Sequence, residues 1–326
     1  MLAYAIIGRA AADPYARMTL LEENDSLYFH TDKHYTQGAR IAYLAPSLAA
    51  NSAWQHSFDA VAALAPVFAP KEAADRRYAL FFGQSIFTPE NVFKKPPDPR
   101  DRPYAGWLYA GVSLLQRDDD GTLENLELAV GVVGPAALGK QVQNDWHQLI
   151  GFHQARGWSD QLQNEPAGIV SYDRHWRHLL AGSDDWGIDI VPEAGATAGN
   201  VFVYGEVGAT ARFGSDLGSD YGPVRIRPSL SGTDYFDSAG AQGLGGYFYV
   251  GARGQAVLHN IFLDGNTFRT SPSVPRKLWV ADLQSGVALM WARRVRVDFS
   301  VARRTEEFAG QRTPDVIGTA AISFAL

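Results

Sequence analysis

Cysteine is absent from the 326 residues, which excludes a disulfide framework, a thiolate metal site and a thiol nucleophile together. Clustered positive charge is also lacking: the formal net charge is −6, and a surface that tracks a phosphate backbone needs gathered Lys and Arg. No nucleic-acid partner is expected. An uninterrupted apolar run of about 18 residues is missing, so no transmembrane helix is available, and only a closed barrel of strands could cross a bilayer. The opening MLAYAIIGRAAADPYARM has a short apolar run but no basic segment before it, so it does not read as a complete signal peptide. The serine-hydrolase elbow G-x-S-x-G, the H-E-x-x-H zinc helix and a phosphate-binding glycine loop are absent as well.

What the sequence does have is a period of two. In 294–302, Val295, Val297, Phe299 and Val301 alternate with Arg294, Arg296, Asp298 and Ser300; in 247–256, Phe248, Val250 and Ala252 alternate with Tyr249, Arg253 and Gln255. The pattern recurs near 19–30, 37–46, 75–87, 103–116, 122–133, 168–178, 186–197, 199–213, 278–292 and 315–326. Twelve segments result, an even number as bacterial barrels require. The wet face carries charges, which a packed sandwich core rejects and a barrel lumen tolerates. The expected fold is therefore all-β, a 12-stranded antiparallel transmembrane β-barrel in one domain over 1–326. A soluble sandwich or lipocalin-like barrel is the competing reading.

Asp120-Gly121 and Ala198-Gly199-Asn200 read as tight turns. Longer stretches at 47–74, 88–102, 134–167, 214–244 and 259–277 suggest short turns at one end and long loops at the other. Tyr104, Trp107, Tyr109, Trp186, Tyr247, Tyr249, Trp279 and Trp291 lie near strand ends and suit interface girdles.

Two patterns are decoys. Residues 116–127 nearly match a calcium loop, but Gln116 occupies the first ligand position and strands flank it, so a hairpin is the better reading. His175 and His178 sit at spacing that sends them to opposite faces of a strand.

Two polar clusters remain. Glu23-Asn24-Asp25 interrupts an apolar strand, and 30–38, HTDKHYTQG, leads into the next. Adjacent strands bring Asn24, Asp25 and Thr36 toward one end of the sheet, and a bulge near Asn24 and Asp25 is expected if both serve one site. The second cluster is QVQNDWHQLIG at 141–151, a short helix with Val142, Trp146, Leu149 and Ile150 on one face and Gln143, Asn144 and His147 on the other, closed by Gly151. It forms part of an insertion at about 138–163 within a loop, and its apolar face must lie on the barrel wall or on lipid.

GVVGPAALGKQVQNDWHQLIG, GWSDQLQNEP, ENDSLYF followed by DKHYTQGARIAY, and DRPYAGWLYAG at 101–111 together resemble the outer-membrane lipid A 3′-O-deacylase family. The resemblance implies a Gram-negative outer-membrane barrel that acts on lipid A of lipopolysaccharide as a calcium-dependent ester hydrolase, with its site between wall and inserted helix. It places His147 as catalytic base, Asn24, Asp25 and Thr36 as polar site residues, and Lys94 near substrate phosphate. Gln143, Asn144 and His153 are further candidates for substrate contact, and Asp25 for the calcium. One position departs: where a family member carries a glutamate six residues after the histidine, this chain has His153. Gln143, Asn144, Asp145 or Glu165 could then orient the imidazole. Water activated by His147 is the economical nucleophile, and a monomer is expected. Two rivals stand beside this reading, an outer-membrane phospholipase using Ser26 and a porin-like barrel without activity.

Overall fold

The computed structural model describes residues 12–25, 33–69, 74–149, 151–183, 185–226, 233–239 and 243–326. The apolar N-terminal run, His30 and Ser26, the serine of the phospholipase reading, lie outside these.

Alternation of apolar and polar residues gives strands, and among the described residues there are twelve. They are β1 (Arg17–Asn24), β2 (His34–Leu44), β3 (Asp75–Thr88), β4 (Ala105–Arg117), β5 (Thr122–Val133), β6 (Glu165–Trp176, resuming after Arg177 as His178–Gly182), β7 (Gly187–Gly199), β8 (Phe202–Gly214), β9 (Leu244–Asn260), β10 (Trp279–Trp291), β11 (Val295–Arg304) and β12 (Asp315–Ala325). Both parts of β6 pair with β7 in one register, His175 opposite Glu193 and His178 opposite Ile190. Each strand pairs antiparallel with its sequence neighbours, and β1 pairs with β12. The ladder closes and leaves no edge.

The barrel is inside out. Leu20, Phe82, Val130, Val207, Phe248 and Leu283 are exposed on its outer face, whereas Arg77, Arg212, Arg225, Arg253, Arg296 and Arg304 are buried in the lumen. A soluble sandwich or lipocalin-like barrel would reverse this. Buried charges are tolerable only when paired, and these are: Arg253 meets Glu206 at 2.7 Å, Arg304 meets Asp282 at 2.8 Å, and Arg296 meets Asp298.

Among the described residues, side chains of the connections pack into both ends of the lumen. The connection after β8 folds inward, so that Arg225 pairs with Glu23, Asp234 with Arg40 at 2.6 Å, and Asp220 with Arg212 and Arg296. At the other end α3 (Ile261–Asp264) sets Phe262 against Phe87, ring centroids 3.9 Å apart, beside Phe202 and Trp107. Such packing is at odds with the porin-like reading.

Long connections occur at both ends rather than one. The stretches 45–74, which carries α1 (Gln55–Leu64), and 215–243 share an end with the start of β1 and the finish of β12, together with the tight turns 118–121, 183–186 and 292–294. The connections 25–33, 89–104, 134–164, 261–278 and 305–314, with the tight turn 200–201, lie at the opposite rim. Five of the eight expected girdle residues also move. Trp186, Trp279 and Trp291 are exposed near strand ends, but Tyr104, Trp107, Tyr109, Tyr247 and Tyr249 are buried. Four of them, on β4 and β9, stand at lumen-facing positions, and Tyr104 lies beneath the insertion. Proximity to a strand end does not encode the face; parity along the strand does.

Candidate functional site

Topology gathers the sequence candidates at one rim. The end of β1 carries Asn24 and Asp25, the start of β2 carries Thr36, the 89–104 connection carries Lys94, and the 134–164 connection carries the helix. Register then fixes depth. Asn24 opposes Gln37, Gln37 opposes Ile86, and Ile86 opposes Gly106. This transverse row spans three strand spacings, about 14 Å.

The inserted segment docks on the last member of that row. Gly134 donates its N–H to the Gly106 carbonyl at 3.0 Å, and Gln84 donates to the Ala137 carbonyl at 2.6 Å. Helix α2 (Gly139–Leu149) begins directly over Gly106, whose missing Cβ would stand 3.2 Å from both Ala137 Cβ and Gly139 N. A leucine there must lift the helix. Gly106→Leu is therefore expected to leave a folded barrel, seen by heat-modifiable gel mobility, and to cost most of the activity. Wild-type turnover by that variant would show that helix seating is unimportant.

Against ordinary amphipathic logic, the polar face of α2 is the buried one. Gln143, Asn144 and His147 are buried, while Trp146 and Leu149 are exposed. The apolar residues face outward, as a bilayer solvent demands, and Val142 alone packs toward the cluster of Ile86, Tyr104 and Trp158. Gln143 accepts from Trp158 Nε1 at 2.8 Å and Asn144 accepts from the Ala155 N–H at 3.0 Å. The two amides thus bind the segment returning from the helix.

Gly151 ends the helix with φ at +72°, the left-handed region that glycine enters without strain. The Gly151 N–H donates to the Gln148 carbonyl at 3.3 Å and the Phe152 N–H to the His147 carbonyl at 2.7 Å. These two bonds form the Schellman arrangement. The Phe152 ring packs on the imidazole, centroids 5.1 Å apart. Reversal of the chain here brings the His153 carbonyl to 2.8 Å from His147 Nδ1. A carbonyl only accepts, so Nδ1 carries the proton, and Nε2 of the neutral ring holds the lone pair.

The departed position is therefore explained. His153 orients His147 through its backbone, and its side chain is exposed, with its ring 6.2 Å from Phe93. His153→Ala should keep activity near wild type across pH 5.5–8, because the carbonyl stays in place. A large loss would show that the imidazole itself acts. Of the other suggested partners, Asp145 is exposed. Glu165 is committed to Asn266 at 3.1 Å and to the Thr267 N–H at 3.0 Å.

β1 keeps regular pairing through Asn24, and the expected bulge appears on the neighbouring strand, between Tyr35 and Gln37. Thr36 is the extra residue, and its hydroxyl meets that of Thr88 at 2.6 Å. Asp25 lies just past the strand end, freed from alternation. It is 3% exposed and accepts the Lys33 N–H at 2.6 Å. Next to it, His34 meets Asp315 at 2.6 Å, tying the start of β2 to β12. Lys94 is half exposed and pairs with Asp98 at 3.2 Å. The Arg100 side chain and N–H, then Lys94, hold the Asp98 carboxyl well below the usual carboxylate range. Glu23, part of the sequence cluster, instead faces the lumen, bonded to Tyr35 and Arg225.

Its neighbour was missed. Glu22 stands on the outer face, in a row with Ala39 and Ala320, two residues before Asn24, which opposes Gln37. It lines an open groove of about 750 Å³ along the outer wall, with Leu20, Ile41 and Phe82 below and Leu138 and Val142 of the insertion above. The available signal was parity: Leu20, Glu22 and Asn24 share the face that elsewhere is apolar.

Comparison with known proteins agrees with this architecture. LpxR from Salmonella typhimurium superposes with a TM-score of 0.74 at 21% identity, covering 94% of this chain and 99% of that one. The β domain of the Bordetella autotransporter BrkA is more distant, with a TM-score of 0.43 at 11% identity, covering 96% and 99%. No curated protein matches in sequence. The barrel is a protein of the Gram-negative outer membrane. The model of the outer membrane protein LpxR family matches residues 1–326, and the chain belongs to that family.

Proposed function

We propose that the protein hydrolyses the 3′-linked acyloxyacyl ester of lipid A in the outer leaflet, with water as nucleophile and His147 as base. The observation that carries the reading is the bond from His147 Nδ1–H to the His153 carbonyl, which leaves Nε2 as a proton acceptor on the buried face of a helix seated against the outer wall. Three tight turns share the end with the chain termini, the periplasmic arrangement of such barrels, so the site rim faces outward, where lipid A resides.

Nε2 takes a proton from water as its oxygen attacks the ester carbonyl carbon, and a tetrahedral oxyanion forms. On collapse the carbon–oxygen bond to the sugar breaks, and the imidazolium returns its proton to the departing sugar oxygen. A free fatty acid and a 3′-hydroxyl result. The groove below Glu22 is apolar and opens on the lipid-facing wall, so the substrate's acyl chain can enter without leaving hydrocarbon. Lys94, half exposed at the rim, suits a substrate phosphate. The closed ladder offers no strand edge for a partner, consistent with a monomer.

Calcium fits the donor set in one form. No three acids or histidines gather among the described residues, so the ion would rest on the Asp25 carboxylate with neutral oxygens around it, a hard donor set. When bound, it supplies charge to polarise the carbonyl and stabilise the oxyanion. Asn24, the preceding residue, and Thr36, next to the register partner of Asn24, would supply neutral oxygens. The reading is tested by release of fatty acid from purified lipid A, with His147→Ala as control; esterase activity equal in both proteins would refute it.

A further inference from the structure

We propose that the outer wall over β8–β11 holds a second lipid A molecule, bound apart from the catalytic site and recognised through a phosphate by Arg303. The inference rests on the outward direction of the site rim proposed above, and on neither His147 nor calcium. An open groove of about 800 Å³ runs along this wall, as large as the one of about 750 Å³ below Glu22, and the two share no lining residue. Strand β10, at its centre, stands six strands from β4, where α2 is seated, in the ring of twelve.

Register builds the groove. One outward-facing row runs Ala252, Leu283, Arg303, and the next row toward the rim runs Val207, Gly254, Ala281. Thr305 closes it at the side, its hydroxyl accepting the Ala281 N–H at 2.9 Å. Val207 and Leu283 are exposed walls, and the residues between them are too short to fill the space. The trough is therefore apolar and open to the bilayer, and toward the rim it continues past Trp279 to Lys277. Charge decides the occupant. Arg303 is the residue before the last of β11, exposed on the lipid face and set between Leu283 and Val316. Among the described residues it makes no ion pair, whereas Arg304 turns inward to Asp282 and Lys277 binds Glu306 at 3.2 Å. An unneutralised cation on the lipid face of a barrel is a cost that an anionic headgroup removes, and a guanidinium takes a phosphate through two parallel hydrogen bonds. At the outward rim, lipid A joins acyl chains for the trough to a phosphate for Arg303.

The test counts lipids on full-length, detergent-solubilised protein by native mass spectrometry, in a His147→Ala background so that lipid A stays intact. The probes are phosphorylated lipid A, the same lipid A stripped of phosphate, and phosphatidylglycerol. Two variants are added. Arg303→Leu removes the cation, and Gly254→Leu fills the trough at a position where a Cβ meets nothing within 4 Å, so heat-modifiable mobility should show both folded. Each should lose one bound lipid A, and for Arg303→Leu the affinity at that site should fall by roughly 10- to 100-fold, the worth of hydrogen bonds to a charged group. Phosphate-free lipid A should show no difference between proteins with and without Arg303. With His147 restored, Arg303→Leu should deacylate lipid A at the wild-type rate. Unchanged lipid counts in both variants overturn the inference. So does phosphatidylglycerol that displaces the Arg303-dependent lipid A mole for mole, since the groove would then take any anionic lipid. Absence of deacylation by wild type, with one Arg303-dependent lipid A retained, refutes the proposed function and leaves this site standing.

Discussion

Replacing His147 with alanine is expected to lower deacylation by roughly 10²–10⁴-fold, the range lost with a general base. The barrel should persist, because the residue lies in an inserted helix and none of the twelve strands depends on it. The large effect follows from the geometry around the ring. Its Nδ1 donates to a backbone carbonyl, so in the neutral ring the basic lone pair is on Nε2. His147→Gln should do no better, since an amide nitrogen has no basic lone pair. The check is initial-rate release of fatty acid from purified lipid A, paired with heat-modifiable mobility; more than a tenth of wild-type activity in a folded variant would remove His147 from the role of base.

The second large effect is expected from removing the cation. Excess chelator should abolish turnover, and added calcium should restore it with a midpoint in the weak class, about 10⁻⁴–10⁻³ M, because one carboxylate among neutral oxygens makes a low-charge site. Asp25→Asn should shift that midpoint to higher calcium more than Asn24→Ala does, as only the former deletes a ligand charge. The Lys33 N–H bond to Asp25 is retained by an asparagine carbonyl, so the local turn should survive. Full activity in chelator would leave the oxyanion to protein donors alone.

Strand number, strand order and inward-facing charge were legible in the sequence because a period of two writes the face of every residue directly. Arg253, Arg296 and Asp298 read as lumen residues, and they are. The helix expected within 141–151, which the structure places at Gly139–Leu149, and its Gly151 terminus were also legible, since spacing and glycine chemistry are local. What was not legible depended on contacts between distant segments. That the 215–243 connection enters the lumen is set by Arg225 meeting Glu23 and Asp234 meeting Arg40, pairs of which neither partner announces the other. The partner of His147 escaped notice for a different reason: it is a backbone carbonyl, and every residue has one. Attention to the side chain at 153 therefore looked for chemistry in the wrong atom. The bulge was expected on β1 and lies on β2, because two strands can absorb the same irregularity and the sequence does not say which. Glu22 was overshadowed by the acid beside it, although the two face opposite sides of the wall.

Mass spectrometry of lipid A tests the central claim most directly. Lipid A would be extracted from Gram-negative cells expressing the wild-type chain or His147→Ala at equal levels in the outer membrane. Wild type should yield a species lighter by one acyloxyacyl group, with fragmentation placing the loss at the 3′ position, and His147→Ala should leave the mass unchanged. Unaltered lipid A in cells with the wild-type protein, calcium being present, would contradict the account, as would an equal loss in both strains.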